Sequence, residues 1–141
     1  MSTRSVRVGR SATGLGLFAV KPIARRDYIA TYRGKRVPTA EAQRRERRFG
    51  AKYMFEIDRR WTIDGSSRRN LGRYLNHSCA PNAEPLLRAG TIVFVALRAI
   101  APGEEITYDY GEEYFDLYIR PAGCRCAACM TTATPRWRRS R

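Results

Sequence analysis

Apolar residues along this chain come in short bursts, interrupted by glycine, proline or charge about every ten residues. That rhythm predicts many short strands and little helix. Residues 6–8, 17–20 and 28–32 are strand candidates. Residues 53–57 and 61–63 predict a hairpin, and residues 91–97, an apolar β-rich run, predict the clearest buried strand. Ala101-Pro-Gly-Glu reads as a turn leading into a further strand at residues 106–110. A single helix is expected from Thr39, as its cap, to about Phe49, with Glu41 and Glu46 among its basic residues. No internal repeat interrupts this pattern, and the last dozen residues read as a loose tail.

The 141 residues suffice for one domain with its own core, and 43% hydrophobic content is that of a globular chain. No apolar run approaches the roughly 20 residues that span a bilayer, and no apolar stretch follows the N-terminal charges as in a secretory signal. The expectation is a soluble intracellular protein without a membrane partner. It would sit in the cytoplasm or nucleoid of a bacterium, or in a nucleus, including a host nucleus for a viral or secreted effector.

The formal net charge is +14, and all but three of the 27 basic residues are arginine. Such a field favours polyanions, which makes nucleic acid a candidate partner through an Arg-rich surface. An arginine bias spread over a solvated surface is an equally open reading. The charge concentrates at residues 33–48 and in Arg136, Arg138, Arg139 and Arg141.

Two segments carry candidate chemistry. Residues 73–82 read Arg-Tyr-Leu-Asn-His-Ser-Cys-Ala-Pro-Asn, and residues 104–111 read Glu-Glu-Ile-Thr-Tyr-Asp-Tyr-Gly. The first holds the only histidine, His77, and the only cysteine outside the C-terminal region, Cys79. Only the fold can bring the two together. Cys124, Cys126 and Cys129 fall within six residues, a spacing that favours metal ligation over disulfides. A structural zinc takes four ligands, and Cys79 is the one cysteine left to complete the set. A redox cluster is the alternative. Gly14-Leu15-Gly16 reads on its own as a tight turn entering a strand, and it lacks the third glycine of a dinucleotide fold.

Over residues 6–130 these motifs, in this order, resemble those of SET-domain lysine methyltransferases. The resemblance implies a mainly β fold with little α, made of small curved sheets with a knot-like crossing towards the C-terminus. It divides the chain into a SET domain at residues 1–118, a zinc-binding post-SET segment at 119–131 and a basic flexible tail at 132–141. It implies S-adenosylmethionine as methyl donor, met by Gly14, Leu15, Gly16, Arg73, Asn76 and His77, with Asn70 in support. Tyr53 would line the cofactor and lysine channel, Tyr110 would be the catalytic tyrosine, and Tyr108 would favour mono- or dimethylation. Cys79 would join Cys124, Cys126 and Cys129 around one structural zinc, although the last spacing has two intervening residues where the family usually has four.

The chemistry of such a site is specific. A lysine with a pKa near ~10.4 is protonated at neutral pH and cannot attack a methyl group. Desolvation in an aromatic channel lowers that pKa, and hydroxyl and carbonyl groups then orient the neutral amine. Glu104, Glu105, Asp109, Glu112, Glu113 and Asp116 gather six of the thirteen carboxylates around the tyrosine strand. They read either as an acidic lip for a lysine-bearing histone or other basic protein of chromatin or nucleoid, or as a solvated face. Residues 33–70 and the tail are the expected substrate-recognition segments. A non-catalytic SET module binding protein or DNA, and a basic zinc-knuckle nucleic-acid binder, are the competing classes. No motif encodes an oligomeric state.

Overall fold

A computed structural model describes residues 4–49 and 53–139 of the chain. Arg141, counted above with the basic tail, lies outside them. The first strands are β1 (Val6–Ser11), β2 (Gly14–Ala19), β3 (Tyr28–Tyr32) and β4 (Lys35–Pro38), followed by helix α1 (Thr39–Phe49). Next come β5 (Met54–Glu56), β6 (Trp61–Asp64), β7 (Asn76–His77), β8 (Ala83–Arg88), β9 (Thr91–Ala96) and β10 (Glu105–Tyr108). The short helix α2 (Glu112–Tyr114) runs on into a wide π turn at Phe115–Ile119, and α3 (Ala127–Met130) is a single turn.

The strands make three small sheets, ordered β1-β2-β10-β7, β3-β9-β8 and β4-β6-β5. β9 lies between two antiparallel partners, so both of its edges are hydrogen-bonded, and packing of the core on its side chains leaves Phe94 and Ala96 fully buried. With Leu17 of β2, Ile106 of β10, Leu75 and Ile100 they form the main core. A second, smaller core holds Phe115, Cys124 and Cys129, with Ile119 and Trp137 against it. Among the described residues no helix is long and apolar enough to cross a membrane.

The predicted hairpin is β5–β6, with Phe55 opposite Ile63. The predicted helix has its expected limits, but Thr39 does not cap it through its side chain. Its hydroxyl donates to the Asp58 carbonyl and meets the Thr62 hydroxyl, both at 3.0 Å, which ties α1 to the β5–β6 hairpin. Gly14–Gly16 lies within β2 rather than in a turn. A Cβ on Gly16 would come within 2.6 Å of Glu105 Oε2 and displace that carboxylate. β8 escaped prediction because Glu84 and Pro85 break its apolar pattern. It is an edge strand, where proline is tolerated. β10 stops at Tyr108, two residues short of expectation, because Asp109 accepts the Gly111 N–H at 3.0 Å and Gly111 turns away at φ +99°.

The buried side chain of Asn82 completes the β10 edge as a strand would. It donates to the Glu105 carbonyl and accepts from the Thr107 N–H, each at 2.9 Å. Replacing Asn82 by Ala orphans both groups and is expected to cost about 2–4 kcal/mol of stability in urea denaturation. An unchanged midpoint would refute this clamp.

Candidate active site and cysteine cluster

β7 and β10 run parallel, with Thr107 opposite Asn76 and Tyr108 opposite His77. This two-residue pairing sets the histidine motif beside the tyrosine motif. The Asn76 amide donates to the Leu15 carbonyl at 2.9 Å and to Glu105 at 2.8 Å, which brings Gly14, Leu15 and Gly16 against the same edge. Asn70 is buried too. It accepts from the N–H groups of Arg33 and Gly72 and donates to the Gly65 carbonyl, fixing the turn that leads to Arg73.

The His77 ring is 6% exposed. Its Nδ1 accepts the Tyr110 N–H at 3.1 Å, and its Nε2 lies 3.4 Å from Cys79 Sγ. Accepting at Nδ1 leaves the proton on Nε2, directed at sulfur. Burial lowers the pKa of His77, against the pull of the Asp109 carboxylate and with help from Arg136. The ring is neutral, and its one lone pair is already engaged by the Tyr110 N–H, so it connects the two motifs.

Tyr110 donates its hydroxyl to the Leu75 carbonyl at 2.6 Å. Its ring lies 4.7 Å from that of Tyr108, which in turn meets Phe94 at 4.9 Å and Phe55 at 6.3 Å. The Tyr108 hydroxyl has no hydrogen-bond partner among the described residues. Burial raises the pKa of both tyrosines well above the ordinary phenol value, so both hydroxyls are neutral donors at physiological pH. Tyr53 sits at φ +60°, held by its carbonyl, which accepts from the Tyr32 hydroxyl and the Gly65 N–H. Its ring faces the Arg73 guanidinium at 4.1 Å, and Arg73 Nε is buried without a hydrogen-bond partner among the described residues.

These tyrosines line a cleft of about 1300 Å³, bounded on one side by Ala42, Gln43 and Glu46 of α1 and on the other by Tyr114, Leu117 and Tyr118. The acidic lip read from the sequence is only partly assembled. Glu104 pairs with Arg98, Glu105 with Asn76, and Asp116 with Arg120. Asp109, Glu112 and Glu113 do line the cleft, where Glu46 and Glu56 join them. Burial raises the pKa of Glu46, and Glu56 and Glu113 raise it further, marking a locally negative wall.

The four cysteine sulfurs lie within 4.8 Å of one another, with no disulfide among them. Cys79 Sγ is 3.9 Å from Cys124 Sγ and 3.6 Å from Cys129 Sγ. Tetrahedral zinc with Zn–S bonds of ~2.3 Å places sulfurs about 3.8 Å apart, so the set fits a zinc ion. The backbone N–H groups of Cys79 and Cys129 both point at Cys126 Sγ, at 3.4 Å. Against the effect of burial, they and the neighbouring thiols bring the Cys126 pKa down to about 7, while burial pushes Cys124 up to about 11. The short Cys126–Cys129 spacing is accommodated because Cys126 caps the single turn α3 with its sulfur. The segment expected as a loose tail carries a 3-10 turn at Arg136–Arg138, with Trp137 against the cysteine core.

Several participants escaped sequence reasoning. Glu105 was read as part of the lip and is instead the partner of Asn76. The Leu75 carbonyl and the rings of Phe55 and Phe94 left no signal in spacing, since backbone acceptors and core aromatics look alike in sequence.

A β-rich domain with a tyrosine-lined cleft and a four-cysteine cluster is the class of protein this geometry defines. The SET domain model matches residues 14–111, and the chain belongs to the SET-domain family. It is 37% identical over 117 residues to the H3 lysine-4 specific histone-lysine N-methyltransferase of Saccharomyces cerevisiae, covering 76% of this chain and 11% of that protein. It is 35% identical over 124 residues to histone-lysine N-methyltransferase trithorax of Drosophila virilis, covering 82% of this chain and 3% of that one. The chain thus spans a small part of these relatives' length. Among solved structures, the Chaetomium thermophilum polycomb repressive complex 2 has a chain that superimposes with a TM-score of 0.74 at 29% identity, covering 83% of this chain and 16% of that one. The same complex bound to S-adenosylmethionine in an autoinhibited conformation gives a TM-score of 0.68 at 31% identity, with coverage of 78% and 15%.

Elemental analysis of the purified chain is expected to find one zinc per molecule. Cys124→Ser is expected to lower that content and to expose the remaining thiols to a thiol reagent. Zinc retained at full stoichiometry in Cys124→Ser would overturn the ligand set.

Proposed function

We propose that this chain is an S-adenosylmethionine-dependent protein-lysine N-methyltransferase acting on a histone or another basic, nucleic-acid-associated protein. The observation that carries the proposal is the hydrogen bond from Tyr110 to the Leu75 carbonyl, at an aromatic cleft, together with the bond from Asn76 to the Leu15 carbonyl. The names of the relatives, and the S-adenosylmethionine bound in a structural neighbour, support the same reading.

Gly14, Leu15, Gly16, Arg73, Asn76 and His77, with Tyr53 and Tyr110, would hold the cofactor. Convergent carbonyls and amides suit a ligand with a zwitterionic tail, and the unpartnered Arg73 Nε is a spare donor at this edge. When bound, S-adenosylmethionine supplies an electrophilic methyl group. The rings of Tyr108, Phe55 and Tyr110 strip water from an incoming lysine and favour its neutral amine. The Leu75 carbonyl and the Tyr110 hydroxyl fix the direction of its lone pair. The Tyr108 hydroxyl is free to bond the amine and occupies room that a third methyl would need, which supports mono- or dimethylation. The acidic wall of Glu46, Glu56 and Glu113 draws a basic peptide to the cleft. Residues 119–131 would act as the zinc-holding segment of a domain that spans residues 1–118. The setting would be intracellular, on chromatin or a nucleoid.

Tyr110→Phe is expected to lower kcat for labelled methyl transfer to histones by about 100-fold. Tyr108→Phe is expected to shift the products towards trimethyl-lysine in mass spectra. Normal turnover by Tyr110→Phe would sink the proposal. The wild-type rate is expected to rise with pH as the substrate amine loses its proton. It should not fall through the ordinary tyrosine range, because raised pKa values keep Tyr108 and Tyr110 neutral there.

A nucleic-acid contact would use the exposed Arg36, Arg60 and Arg88, since the Arg36 guanidinium ties β4 to the β8–β9 turn at Gly90. Duplex DNA affinity is then expected to fall steeply with salt, with a slope about one unit shallower for each of these residues made Ala. A slope that none of the three changes would remove this face from the proposal.

A further inference from the structure

The last described turn of the chain is fastened by one side chain. Arg120 Nη1 donates to the carbonyls of Arg136 at 3.2 Å, Trp137 at 3.1 Å and Arg139 at 2.6 Å. Its Nε bonds Asp116 at 3.0 Å, which anchors the arrangement to the π turn. Trp137 packs on the cysteine core. These contacts fix where Arg136 emerges.

The Arg136 guanidinium lies 4.0 Å from the centre of the buried Phe115 ring, and its Nη1 is 3.2 Å from Asp109 Oδ2. Its side chain is 27% exposed, so neither contact is fully wet. Asp109 stands between Tyr108 and Tyr110. Its other oxygen accepts the Gly111 N–H at 3.0 Å and lies 3.7 Å from His77 Nδ1. That Nδ1 is already accepting the Tyr110 N–H, so two acceptors face one another across 3.7 Å. Such an arrangement persists when the carboxylate is held from its far side, and Arg136 is the cation on that side.

We propose that Arg136 is a positioning residue for Tyr110: its ion pair with Asp109 pins the turn at residues 109–111 and preserves the bond from the Tyr110 N–H to His77. The chain beyond the cysteine cluster thereby sets the geometry of the tyrosine on the opposite side of the histidine. The assignment rests on the methyltransferase reading for its effect on turnover, but the coupling itself does not.

The test compares the zinc-loaded 141-residue wild-type chain with Arg136→Gln, Arg136→Lys, Asp109→Asn and the Arg136→Gln/Asp109→Asn double variant. Amide hydrogen exchange at Tyr110, followed by NMR, reads the coupling without any substrate, and the buried amide of Leu17 is the control. A partly exposed ion pair with a cation–π contact supports an effect of about threefold to tenfold. Arg136→Gln is expected to speed Tyr110 exchange by that factor, leave Leu17 unchanged and retain one zinc per chain. Its kcat should fall by a similar factor while the cofactor KM changes less than twofold. Arg136→Lys should recover part of both effects, because it keeps the charge and loses the planar fork. The double variant should be no worse than Asp109→Asn alone.

Unchanged Tyr110 exchange in Arg136→Gln would overturn the proposal, whatever the activity. Loss of zinc in that variant would also overturn it, by making Arg136 a support of the cysteine cluster. If wild type transfers no methyl group yet Tyr110 exchange responds to Arg136, the methyltransferase reading fails while the coupling stands.

Discussion

The site depends on a parallel pairing only two residues long. β7 and β10 share so few backbone bonds that the pair could not persist alone, since ladders of this length are marginal in water. It survives because β10 is also paired with β2, and because the Asn82 side chain supplies the bonds that another strand would. Leu17 and Ile106, fully buried under the same pairing, add the apolar weight. Local hydrogen bonding and core packing thus act on one short segment, and that segment carries the histidine and tyrosine motifs.

His77 is where these influences meet. One ring nitrogen receives the backbone of Tyr110, and the other faces the sulfur of Cys79. An imidazole with both nitrogens engaged in this way is rigid, and it links a thiolate cluster to a tyrosine without performing acid–base chemistry. Burial keeps the tyrosine hydroxyls neutral, and in the proposed reaction the Tyr110 hydroxyl and the Leu75 carbonyl would orient an amine without any ionisation of the phenol.

Much of this was legible in the chain. β9 announced itself because an apolar β-rich run between turns has few other homes, and α1 because Thr39 opens a stretch free of glycine and proline. Residues 73–82 and 104–111 were recognisable because their order and residue types are specific. The rest is contact information that sequence spacing does not carry. Tyr110 was placed on a strand because nothing local reveals that Asp109 captures the Gly111 N–H. The acidic lip looked continuous because six carboxylates adjoin in sequence, yet four of them are committed to Arg98, Asn76, Arg120 and Arg136. Glu46 and Glu56 complete the wall from a distant segment that no periodicity connects to it.

The smaller core around Phe115 touches the sheets through His77, and among the described residues it holds one buried side chain larger than a thiol. Burying a phenylalanine is worth about 2–3 kcal/mol, too little to hold a cooperative unit together. A four-thiolate zinc site is worth about 10–16 kcal/mol in small peptides, so ligation rather than burial dominates here. With zinc bound by these four sulfurs, the C-terminal wall of the cleft would owe most of its order to the metal. The free zinc concentration would then join temperature in setting how much of the protein presents a complete cleft.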